Sequence, residues 1–113
     1  MSAELPSPVR GFRKDYKEVW QAFTELGDSC HKAGPLDERS RRLVKLALAV
    51  GAGLEGGTHS AVRNGLSAGL TPEEMKHVAV LAITTIGLPA SMRALTWIGD
   101  GLSPEDDSTN ERD

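Results

Sequence analysis

The sequence predicts a small all-α domain of about five helices, packed in an orthogonal-type arrangement and assembled as an oligomer. Three observations carry that reading. Apolar residues recur at Phe12, Tyr16, Val19, Phe23, Leu26 and Cys30, in steps of four and three that lay one stripe along a helix. Thr71-Pro72-Glu73-Glu74 joins an N-cap threonine, a proline at the first helical position and a glutamate able to reach back to the cap. Breaks at Gly34-Pro35, Gly51 to Gly57, Gly69 and Gly87-Leu88-Pro89 then cut the chain into helix-length pieces. Val78 to Ile86 is apolar enough to pass for a buried strand, but it follows directly on the cap at Thr71, which favours helix.

The elements follow in order. Residues 1–11 contain Pro6, Pro8 and Gly11 and read as a loose, flexible N-terminal arm. The first helix begins at Phe12 and stops at Gly34-Pro35. Asp37 is placed to cap a second helix over about Glu38 to Val50, basic at its start and apolar on most sides by its end. Gly51 and Gly53 weaken that end. A third helix starts near Gly56 or Gly57 and runs to Ala68, with Gly69 as the residue that turns the chain out. The fourth follows the Thr71 cap and buries Met75, Val78, Ala79, Ala82, Ile83 and Ile86. The fifth starts after Gly87 and closes at Gly101. The helical domain thus spans 12–102, and 103–113 reads as an acidic, disordered tail. Helices two and four carry more apolar surface than one covered face can hide, so an oligomer is expected.

Composition excludes several functions. Of the net charge of −3, the tail supplies −4, leaving about +1 for residues 1–104 and no basic face for nucleic acid. No run approaches the roughly 20 apolar residues of a membrane span. The N-terminus, Met1-Ser2-Ala3-Glu4-Leu5-Pro6, does not read as a secretory signal, and the expected location is cytoplasmic. A single cysteine, Cys30, excludes an internal disulfide, a CxxC pair and a multi-cysteine zinc site. His31, His59 and His77 match no ligand spacing, so no metal and no cofactor are expected.

The chemistry-bearing stretch is Leu54-Glu55-Gly56-Gly57-Thr58-His59-Ser60. His59 can act as a general acid or base, because its ordinary pKa lies near neutrality. Glu55 lies four positions earlier and can orient it. Arg63 lies four positions later, on the same face, and can pair with an anionic substrate. Gly57 permits close backbone approach to a ligand, and Arg42, one turn past Glu38, can anchor an anion. The same residues can equally be a polar helix end, a plain junction and solvated ion pairs. Cys30 continues the first helix's stripe, as a small buried hydrophobe.

Three segments, in this order, resemble the carboxymuconolactone decarboxylase and alkylhydroperoxidase D family. They are Leu36-Asp37-Glu38-Arg39 through Ala47, Val62-Arg63-Asn64 through Ala68-Gly69-Leu70-Thr71-Pro72-Glu73-Glu74, and Val78 through Gly87-Leu88-Pro89-Ala90 to Leu95. The resemblance covers roughly residues 35–100 and implies an all-helical homo-oligomer, a hexamer or trimer. The family's thiol chemistry does not carry over. Counting back from Ala68-Gly69, the two cysteines of peroxidase-type members fall on Leu54 and Gly57 and their histidines on Gly56 and Ala61. Their upstream glutamate falls on Arg42. The histidine of decarboxylase-type members also falls on Ala61, two positions from His59, which is a rotation of about 200° around a helix. What the resemblance leaves open is a cofactor-free lyase or isomerase acting on a small carboxylated lactone or related acid. A non-catalytic binding or assembly protein is the alternative, and a thiol peroxidase using Cys30 is the weakest reading.

Overall fold

The computed structural model describes residues 5–103, which form seven helices. They are α1 (Ser7–Asp15), α2 (Lys17–Lys32), α3 (Glu38–Gly51), α4 (Glu55–Ser67), α5 (Pro72–Leu81), α6 (Ile83–Ile86) and α7 (Leu88–Leu102). No strand occurs among the described residues. The acidic tail, Ser103 apart, lies outside them.

The local signals act as the sequence implies. Asp37 caps α3 by accepting from the Ser40 amide at 2.8 Å. At α5 both halves of the capping box form: the Glu74 amide donates to Thr71 Oγ1 at 3.1 Å, and the Thr71 amide donates to Glu74 Oε1 at 2.8 Å. Gly53 and Gly69 end α3 and α4 in the same way, with φ of +70° and +91°. After α4, the Leu70 amide reaches Gly65 O at 2.9 Å and the Gly69 amide reaches Leu66 O at 3.1 Å, the paired bonds of a Schellman turn. After α3, the Leu54 and Gly53 amides repeat the pattern on Ala49 O and Val50 O. Each turn needs a left-handed residue, and glycine supplies one without Cβ strain.

Three boundaries differ from the sequence reading. Helix starts at Ser7, inside the segment read as a loose arm, because Pro8 sits in its first turn, where a missing amide costs nothing. The first long helix is two, since Tyr16 leaves helical geometry at φ −129°, ψ 62°. The fourth is also two: Ala82 is a turn, its amide shared between the carbonyls of Val78 and Ala79.

The core lies between α3, α4, α5 and α7. It holds Leu46 and Val50 from α3, Ala61 and Val62 from α4, Met75 and Ala79 from α5, and Ala94 and Ile98 from α7, with Leu70 plugging the turn. Small residues set the spacing. A Cβ on Gly65 would stand 2.9 Å from Leu70 Cδ1, and one on Gly101 would stand 3.1 Å from Val62 Cγ1. Arg39 fastens α3 across the core's edge, donating to Gly69 O at 2.8 Å and pairing with Glu74. The arm formed by α1 and α2 is different in kind: none of its residues is buried.

Candidate functional site

Helix α4 carries the sequence-predicted site. Glu55 is its first residue and exposed, while His59 and Arg63 are half-buried one and two turns further on. Steps of four advance about 40° around a helix, so the three share one face. The Nε2 atom of His59 is shielded from water and has no hydrogen-bond partner. A shielded, unpartnered imidazole nitrogen is costly unless something else occupies its lone pair or proton. Two hydroxyls nearby in sequence or on the facing helix share this state. Thr58 Oγ1 on α4 and Ser91 Oγ on α7 are fully buried and likewise without partners.

The other two candidates lie in different settings. Arg42, on α3, has a side chain 20% exposed and faces Glu38 Oε2 at 4.0 Å, an ion pair too long for a hydrogen bond. Gly57 is packed: a Cβ there would meet Leu54 Cβ at 3.1 Å and Ala49 Cβ at 3.5 Å, so its smallness lets α4 start close against α3.

Glu55, His59, Arg63 and Arg42 line neither of two cavities among the described residues. The larger, about 570 Å³, is an apolar groove between α3 and α5–α6, walled by Leu43, Val44, Ala47, Val78, Leu81 and Ile86, with Glu74 and His77 also along it. The sequence signal for it was present in the excess apolar surface of the second and fourth sequence helices. The smaller, about 280 Å³, lies where α2 meets α3 and is lined by Cys30, His31, Gly34, Leu36, Arg41, Val44 and Lys45. There Lys45 Nζ stands 3.3 Å from His31 Nε2. Loss of hydration, then the charges of Lys45, Arg42 and Arg41, hold the His31 pKa below its ordinary value. Cys30 is exposed on α2, where the sequence reading had it buried, because the stripe it continues is not covered. Trp20 and Trp97 line neither cavity; Trp97 lies under the Arg93 guanidinium at 5.2 Å.

Among the described residues no group of three or more His, Cys, Asp or Glu could hold a metal ion, and no helix is long and apolar enough to cross a membrane.

No curated protein and no solved structure gives a significant match to the chain. A family model does, over residues 17–100, from the start of α2 almost to the end of α7. With the helix order and the two matching cap motifs already described, that span places the chain in the carboxymuconolactone decarboxylase family.

Proposed function

We propose that the protein is a cofactor-free lyase or isomerase acting on a small carboxylated lactone or related acid, working as a homo-oligomer, hexamer or trimer, in the cytoplasm. The observation that carries this reading is His59 Nε2, withheld from water and unpartnered, with Glu55 one turn before it and Arg63 one turn after it on the same face of α4. In a decarboxylation the electron pair of the bond to the departing carboxylate passes into the conjugated lactone carbonyl. The protonated His59 then returns a proton to carbon. In an isomerisation the same nitrogen removes a proton and redelivers it one position along. Glu55 orients the imidazole, and Arg63 or Arg42 holds the substrate carboxylate. The backbone at Gly57 lies near the α4 N-terminus, whose amides favour a developing enolate oxygen.

The test is turnover of a panel of carboxylated lactones, followed by ultraviolet absorbance and by solvent-deuterium incorporation. His59→Gln is expected to lower kcat/KM by about 10²-fold or more, the usual weight of a general acid–base group. Turnover that survives the substitution, or no turnover across the panel, would overturn the proposal.

The second reading, a binding or assembly protein without chemistry, is favoured by the uncovered apolar stripe on the arm. The peroxidase reading has least support, since Cys30 is the only thiol in the chain and no second cysteine exists to resolve an oxidised one.

A further inference from the structure

Two apolar surfaces of the chain stand open, one on the arm and one along the groove. Along α1–α2 the apolar residues stand in the open: Phe12 42%, Tyr16 58%, Val19 56%, Phe23 63% and Leu26 61% exposed. Together they present on the order of 500 Å² of apolar surface, as large as the biggest patch on an ordinary monomer. The stripe is ordered rather than ragged. Phe12 stacks on Tyr16 at 5.2 Å and meets Trp20 edge-on at 6.5 Å, and Trp20 contacts Phe23 at 5.8 Å. A two-helix arm of this length with no buried residue gains too little from propensity alone to stay helical in water.

The same chain offers the complementary surface. The α3/α5–α6 groove is apolar and open, with Val44 44%, Leu81 60% and Ile86 37% exposed. None of the stripe residues lines that groove in its own chain. The arm is held to the body at its C-terminal end, where Cys30 and His31 meet Leu36, Arg41 and Lys45. On α2 the stripe from Val19 to Leu26 is about 10 Å long at 1.5 Å per residue, and the α3 wall of the groove, Leu43 to Gly51, is about 12 Å long.

We propose that the α1–α2 stripe of one copy seats in the α3/α5–α6 groove of a second copy. It refines the oligomer named under the proposed function and does not depend on the chemistry at His59. A reciprocal pair contains two such contacts. The two stripes alone bring about 1,000 Å² to it, and the two groove walls carry the total into the range of a stable protein–protein interface. A head-to-tail ring uses the same contact once per copy.

Charge exchange tests it. Val19→Lys with Phe23→Lys alters the stripe, and Val44→Glu with Leu81→Glu alters the groove; all four positions are at least 44% exposed, so the fold tolerates the charges. By sedimentation velocity at micromolar concentration, the wild type is expected to be oligomeric and each double variant monomeric. An equimolar mixture of the two variants recovers assembly, because lysines on one copy then meet glutamates on the other. Should the stripe variant dissociate while the groove variant assembles normally, the stripe pairs with itself and the proposal fails, although the oligomer stands. A monomeric wild type overturns both. Failure of the mixture to recover, or variants that assemble as the wild type does, overturns the seating. A covalent check uses the Cys30→Ala background: mixing Phe23→Cys with Leu81→Cys and oxidising gives a disulfide-linked heterodimer if the stripe enters the groove, and none if it does not.

Discussion

Replacing Thr58 with valine is expected to stabilise the protein. Thr58 is fully buried on α4, and its Oγ1 has no hydrogen-bond partner. A hydroxyl in that state costs about 1–3 kcal/mol in lost hydration that nothing repays. Valine keeps the branched shape and has nearly the same helix propensity, so the exchange removes the cost and adds little else. Allowing for a slightly larger methyl group in a close-packed site, we expect a gain of about 1 kcal/mol. For a domain of this size that raises Tm by roughly 4–8 °C. Ser91→Ala rests on the same ground, since Ser91 Oγ is also fully buried and unpartnered, and alanine adds helix propensity on α7. The assay is thermal and urea unfolding by circular dichroism at fixed protein concentration, because any self-association would shift apparent stability. A loss of more than about 0.5 kcal/mol for Thr58→Val would refute the reasoning, as it would show that the hydroxyl has a partner in solution.

Three further outcomes are expected. Gly69→Ala, which forces a side chain to φ +91°, destabilises by about 1–2 kcal/mol in the same unfolding experiments, while Gly56→Ala, with open space around its Cβ position, does not. The Asp37 carboxyl is held below its ordinary pKa by its bonds from Ser40, and the Glu74 carboxyl by its bond from the Thr71 amide and then by Arg39. Stability from both is therefore complete above the unfolded carboxylate range near pH 4 and is lost as pH falls through the lower folded values. Asp37→Asn and Glu74→Gln should flatten the acid limb of a Tm–pH curve, and an unchanged limb would count against the assignment. Leu54→Cys with Gly57→Cys places two Cβ atoms about 3.1 Å apart, a few tenths of an ångström short of disulfide spacing. Thiol titration of that variant should fall from three groups to one on mild oxidation, and three groups after oxidation would show that the α4 start cannot carry the pair.

Helix caps were legible because they are local. Asp37 and Thr71 act through atoms three residues away, so the sequence contains both partners of each bond. Gly69 was legible for the same reason. The breaks at Tyr16 and Ala82 were not, because neither residue interrupts an apolar stripe or forbids helix. The site was half legible. Spacing put Glu55, His59 and Arg63 on one face of α4, but no periodicity could reveal that His59 Nε2 would be shielded and unpartnered. Nor could it say that Gly57 packs on Leu54 and Ala49. The excess of apolar residues pointed to apolar faces left open within one chain. Which faces stay open is decided by how α3 and α5 share the core, a tertiary fact.

Arg39 has a consequence beyond holding α3 in place. Its guanidinium serves a main-chain oxygen of a residue that must be glycine and a carboxylate that also closes the capping box of α5. A planar fork can meet both acceptors at once, and a lysine ammonium, a point charge on a flexible stem, meets them poorly. Positions 39, 69 and 74 are therefore expected to be inherited as a unit. Among relatives that share this turn they should be exchanged together or kept together, and a set of sequences in which they vary independently would show that the link is dispensable.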